Sequence, residues 1–243
     1  MVSDEPPGGV GRDQVGLLEG MATTRAIRRF RPDPIPDADL ATILWHASRA
    51  PSGSNRQSFR FLVLRDGERA GQARSLLGEA FRAEWARKQG EDGYLTGSGA
   101  DPGSRKGRMA ATMQQFVDGF EDIPVVVLAT NVRERAPHVT DGASVYPACQ
   151  NLLLAARALG YGGVITMWHE LVAAPLRACL GIPDEVMLAA TIALGRPQGH
   201  HGPVRRRPLA ELVYEDAWEQ PAPWAVDPDG TRFTGAAPDR LRR

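Results

Sequence analysis

Residues 23–66 read TTRAIRRFRPDPIPDADLATILWHASRAPSGSNRQSFRFLVLRD, and this stretch decides the fold. Its first part is cationic, with Arg25, Arg28, Arg29 and Arg31 close together. Pro32, Pro34 and Pro36 then prevent any regular element. Asp37 follows as a predicted N-cap, and Leu40, Ile43, Leu44 and Ala47 recur at helical spacing until Pro51 ends the run. PSGSNRQ is a loop by composition, and FRFLVLRD alternates well enough to be a strand. A second cationic run, Arg205 to Arg207, lies far away in sequence. Guanidinium groups match phosphate with a rigid fork, so two such clusters could converge on one phosphorylated ligand. Solvated surface arginines explain the same clusters equally well.

Working outward, Val15, Leu17, Leu18 and Met21 suit a short helix that ends near Thr23 and Thr24. Residues 1–13, rich in Pro, Gly and Asp, read as a mobile tail. Downstream, 68–89 reads as a charged amphipathic helix and 90–104 as a loop. A second helix follows, on which Met109, Met113, Phe116 and Phe120 keep one face. IPVVVLAT, GGVITMW and EVMLAATIALG read as strands, Ala143 to Leu159 as an apolar helix closed by Gly160, and Ala174 to Leu180 as a short helix. Four strands thus interleave with about six helices, without any internal repeat. The reading is one domain over 14–215, followed by a C-terminal extension over 216–243. That extension cannot build its own core and is expected to wrap a partner subunit or stay mobile.

The 243 residues carry 29 Lys+Arg against 29 Asp+Glu, a balance that gives no reason to expect nucleic acid. With 42% hydrophobic residues the chain can bury a sizeable core without staples. Cys149 and Cys179 fall in apolar helical segments and fit no zinc spacing, so they read as buried thiols. The polar N-terminus lacks a secretory pattern and no apolar run approaches membrane-spanning length, which predicts a cytoplasmic protein with no membrane partner. No Walker motif, dinucleotide fingerprint, GxSxG elbow or HExxH occurs. The glycines at 160, 162 and 163 precede a strand where a fingerprint must follow one. His200 and His201 are adjacent on a loop and make a poor metal pair, so no metal is expected.

In order, the arginine turn, the helix, PSGSNRQ and the strand resemble the opening of the nitroreductase family of FMN-dependent flavoproteins. QNLLLAARALGYGG, ITMWH, LAATIALGRP and RRRPLAELV continue the resemblance in sequence order, over about residues 15–214. It implies an α+β fold with a central, mainly antiparallel sheet flanked by helices. It also implies an intertwined homodimer with FMN at each of two interface sites. Carried over by position, Arg28 would stand at the N1 and O2 side of the flavin, where reduction deposits negative charge. Arg205 and Arg207 would clasp its phosphate with help from Arg25. Pro51, Ser52, Gly53 and Asn55 would reach the partner's flavin, and Met167 and Trp168 would offer backbone N–H groups to flavin N5 and O4. The chain departs from the common Arg-Arg-Ser opening at Thr24-Arg25-Ala26, and from Gln-Pro-Trp at Gln57-Ser58-Phe59.

The expected activity is hydride transfer from NADH or NADPH through flavin N5 to a small aromatic acceptor, a nitroaromatic or quinone, by a ping-pong route without a side-chain nucleophile. Two alternatives stand beside it: a flavin-binding dimer without turnover, and a flavin-dependent dehydrogenase or flavin-fragmenting enzyme of secondary metabolism. The stripe Met109, Met113, Phe116 and Phe120 is read either as core or as a wall for a flat acceptor.

Overall fold

A computed structural model describes residues 15–133 and 136–229. The expected N-terminal tail and the end of the C-terminal extension lie outside the described residues. Six α-helices and four strands alternate along the described chain: α1 (Leu17–Thr23), α2 (Asp37–Ala47), β1 (Phe59–Leu64), α3 (Glu68–Glu91), α4 (Arg105–Asp118), β2 (Val125–Val132), α5 (Tyr146–Ala158), β3 (Gly162–Thr166), α6 (Ala173–Leu180) and β4 (Val186–Gly195).

The strands form one antiparallel sheet in the order β1-β2-β4-β3. The pleat sorts its side chains by parity. Val125, Val127 and Ala129 face Leu40, Ile43 and Ala47 of α2 and Ala148, Cys149, Leu152 and Ala156 of α5. Val126 and Leu128 face Ala73, Leu77, Phe81 and Trp85 of α3 with Phe116 and Val117 of α4. The result is an α+β fold of three layers with a core on each side of the sheet.

The register defines two ends. Leu64, Val125, Gly162 and Gly195 lie at one, where Val125 pairs with Leu194 and Gly162 with Gly195; Phe59, Val132 and Val186 lie at the other. Arg74 of α3 is buried at the first end and caps it, donating to the carbonyls of Glu121 (3.0 Å), Leu64 (2.8 Å) and Pro124 (3.3 Å).

Several boundaries differ from the sequence expectation. Asp37 is the first residue of α2 rather than its cap; Pro36 holds the cap position and no side chain bonds there. α4 stops at Asp118, and Phe120 sits in a separate 3-10 turn over Phe120–Asp122, because the chain breaks at Gly119. The helix expected from Ala143 begins as a 3-10 turn over Asp141–Ser144 and becomes α-helical only at Tyr146. β3 ends at Thr166, so Met167 and Trp168 lie beyond the ladder. Cys149 is buried and its thiol is pushed up to about 12 by desolvation, which keeps it inert; Cys179 is half-buried and also free. No helix among the described residues is long and apolar enough to cross a membrane.

Candidate active site

The arginine turn is sewn to the first end of the sheet. Ile27 N donates to Gly163 O (2.9 Å), Arg31 N to Arg196 O (2.8 Å) and Gln198 N to Arg29 O (3.0 Å). Glycine is needed for so close an approach: a Cβ on Gly162 would stand 2.6 Å from Ile27 Cγ1, and one on Gly195 2.9 Å from Phe30 Cδ1. The late cationic run is brought to the same place, since Gly202 N donates to Thr23 O (3.2 Å) and Val204 N to Ala22 O (3.1 Å). The two clusters therefore converge, although nearly 180 residues separate them.

Arg28 is half-buried in a hollow of about 200 Å³ whose other walls include Gln115, Phe116, Gly119 and Gln198. It forms no hydrogen bond or ion pair among the described residues, and desolvation lowers its guanidinium pKa from the ordinary value, opposed only by the Tyr94 phenol. Arg25 and Arg205 are exposed and Arg207 is half-buried. Arg25 and Arg207 also lack a hydrogen-bond or ion-pair partner among the described residues. Arg25, Arg28 and Arg207, guanidinium ions without a carboxylate partner among the described residues, have the chemistry of an anion site.

At the end of β3, Met167 is partly exposed, while the Trp168 ring packs edge-on against Phe81 at 5.4 Å. The Trp168 N–H reaches only Thr166 Oγ1, at 3.4 Å. His169 follows and is buried. Its Nε2 is 3.2 Å from the Leu188 carbonyl, which can only accept, so Nε2 carries the proton and Nδ1 has no partner. Burial lowers the pKa of this imidazole below its ordinary value.

The loop Pro51–Ser58 lies at the opposite end, where Val132 N donates to Ser58 O (2.9 Å). Ser54, Asn55 and Gln57 have φ of 53°, 53° and 51°, three of the five positive-φ non-glycine residues among those described. Such backbone costs of order 1 kcal/mol or more per residue and concentrates at functional sites. Two hydroxyls hold the loop in this shape: Ser52 Oγ accepts from Gln57 N (3.0 Å) and Ser144 Oγ from Gly53 N (3.1 Å). Beneath it opens a cavity of about 590 Å³ lined by Pro51, Ser52 and Gly53 together with Asn131, Arg133, Asp141 and Ser144. Arg133 and Asp141 are ion-paired at 3.0 Å.

Eight residues of β2 separate the two ends, or roughly 26 Å at about 3.3 Å per residue. One chain thus does not bring Ser52, Gly53 and Asn55 to Arg28. The stripe on α4 divides as well. Met109 is exposed and Met113 is packed partly against the core; Phe116 and Phe120 are buried in it, Phe120 with no exposed surface. The contribution of Ser144, Asn131, Arg133 and Asp141 to the cavity carried no sequence signal; the segment 131–144 looks like an ordinary polar loop. Among the described residues no cluster suits a metal ion, and His200 and His201 form none.

A family model described as Nitroreductase family matches residues 21–196. The chain is 30% identical over 197 residues to the NADH dehydrogenase of Thermus thermophilus, covering 78% of this chain and 90% of that one. It is 29% identical over 201 residues to the 5,6-dimethylbenzimidazole synthase of Rhodospirillum rubrum, covering 77% and 82%. Among solved structures, it resembles a protein from Desulfovibrio desulfuricans described as a nitroreductase in complex with FMN, with a TM-score of 0.59, 29% identity, and coverage of 83% and 96%.

Proposed function

The chain belongs to the nitroreductase family, and from that premise we propose that it works as a homodimer that binds FMN and oxidises NADH or NADPH. In this reading the arginine end of one subunit and the strained loop of the other complete each site. The carrying observation is the separation of the two half-sites across the sheet, each of which is incomplete alone.

The residues suit FMN. Arg207 and Arg25 provide unpartnered forks for the phosphate, and Arg28 provides an unpartnered cation in a hollow that shields it from water. When bound, the flavin supplies hydride chemistry between a nicotinamide and a small aromatic acceptor of nitroaromatic or quinone type. Arg28 holds a fixed positive charge where electron density collects on the ring, which favours the reduced state. Ser52 and Asn55, from the partner, orient the cofactor by hydrogen bonds, and the strained backbone at Ser54 and Asn55 keeps them in place. Met167 and Trp168 offer backbone N–H groups at the end of β3, where Trp168 is fixed by its packing on Phe81. Phe120 supports the end of α4 from the core, whereas Phe116, though buried, lines the Arg28 hollow, and Met109 and Met113 carry the more exposed part of the stripe toward an acceptor.

Mixed dimers test this. A subunit carrying Arg28→Gln and Arg207→Ala is paired with one carrying Ser52→Ala and Asn55→Ala. Each homodimer should bind FMN poorly, while the heterodimer regains one intact site and half the flavin. No recovery in the heterodimer means that each site is built from one chain. Anaerobic bleaching of that flavin by NADH or NADPH separates turnover from mere binding. The similarity to a synthase supports a second reading, a biosynthetic conversion in place of acceptor reduction. Mass analysis of the flavin and products after turnover distinguishes the two.

A further inference from the structure

The turn between α5 and β3 carries a cation that the site described so far does not use. Arg157 lies in the last turn of α5, where Gly160 N donates to Arg157 O (3.1 Å) and Tyr161 N to Ala156 O (2.8 Å). Its Nε is sealed from solvent without a partner, and the whole guanidinium forms no hydrogen bond or ion pair among the described residues. Beside it, His201 Nε2 donates to the Tyr161 carbonyl at 3.0 Å, and Nδ1 is buried and bare. Thr24 Oγ1 is likewise buried without a partner. The same backbone bonds that lash 202–204 onto 22–23 hold His201 and Thr24 together.

The charges felt by His201 are both positive. Arg157 approaches from α5 and Arg25 from the arginine turn, and both add to the desolvation that lowers the pKa of its ring. Asp39, the carboxylate that meets Tyr161, is already bonded to the hydroxyl of that residue at 2.5 Å. Both guanidinium ions thus act on the same imidazole, and no carboxylate offsets them there, which is a setting that favours an anion. Arg205 to Arg207 lie a few residues beyond along the same lashed segment.

We propose that Arg157 is a phosphate-binding residue of the cofactor clasp, acting with Arg25 across His201 to hold a dianionic phosphate monoester. This rests on the FMN reading above and adds a residue from α5 to it.

Binding of FMN and of riboflavin, which lacks the phosphate, tests the proposal by fluorescence titration of deflavinated protein. Arg157→Gln should raise the Kd for FMN about 10-fold and leave that for riboflavin unchanged, as expected for one partly solvated charge-assisted contact. Arg157→Lys should recover part of the loss. Equal weakening of both flavins would make Arg157 a structural residue, and an unchanged Kd for FMN would exclude it from the site; either outcome overturns the proposal. So does a change confined to the KM for NADPH, which would assign the charge to the co-substrate's phosphate. Wild-type protein that takes up neither flavin would overturn the cofactor reading itself, whereas FMN binding weakened by Arg207→Ala but not by Arg157→Gln would overturn this inference alone.

Discussion

The two ends of the sheet store free energy in different forms. At the Gly195 end the cost is electrostatic: Arg28 is partly desolvated without a counter-ion, and Arg25, Arg157 and Arg207 stand unpartnered nearby. At the Val132 end the charges are paired, as in Arg133 and Asp141, and the cost is conformational, carried by three residues with positive φ. A ligand entering the first relieves repulsion; one touching the second benefits from groups already in position. In the proposed dimer the two ends would complement each other, one supplying charge and the other geometry.

The sharpest way to break this comparison lies at the cation end itself. Arg74 is buried there too, but three carbonyls accept from its Nη1 and Nη2, although its Nε has no partner, so it belongs to the fold rather than to a ligand. Arg74→Met should cost about 3 kcal/mol, since three acceptors are left without their donor, and should lower Tm on the order of 10 °C with or without flavin. A smaller effect of opposite sign is expected for Arg28→Met. Removing a desolvated, unpaired cation should stabilise the flavin-free protein by about 1 kcal/mol in urea unfolding while weakening FMN binding. Destabilisation of the flavin-free protein by this change would show that Arg28 serves the fold as Arg74 does. The smallest effect belongs to the loop end. Ser144→Ala removes the acceptor for Gly53 N–H and should cost about 0.5–1 kcal/mol, with the loss appearing as faster amide exchange confined to residues 52–57. Exchange that rises uniformly across the sheet would mean that the loop is not held independently.

The elements that carry the reading were legible because their signal is local. The arginine turn, the prolines, PSGSNRQ, the period-2 alternation of β1 and the β-branched run of β2 are each written within a dozen residues. The misplacements have equally physical causes. Phe120 continues the helical spacing of Met109, Met113 and Phe116, but Gly119 ends the helix and Phe120 turns into the core from a separate turn. Asp37 has the chemistry of a cap, yet Pro36 with its fixed φ occupies that position. Arg74 looks like one more charge on a solvated helix, and only the return of the chain at Glu121 and Pro124 gives it partners. Ser144 meets Gly53 across 91 residues, a contact no local pattern encodes.

β3 is half as long as β4, and what fills the gap decides whether the sheet can be extended there. Beyond Thr166 no strand among the described residues covers the first half of β4 on this side; instead, Arg177 Nη2 donates to Val186 O (2.6 Å) and His169 Nε2 to Leu188 O (3.2 Å). Two side chains thus occupy positions where an incoming strand would donate its amides. That stretch cannot serve as a template for β-augmentation, which protects it from edge-to-edge aggregation. Any chain that docks near this stretch must therefore do so through side chains and not by adding a strand.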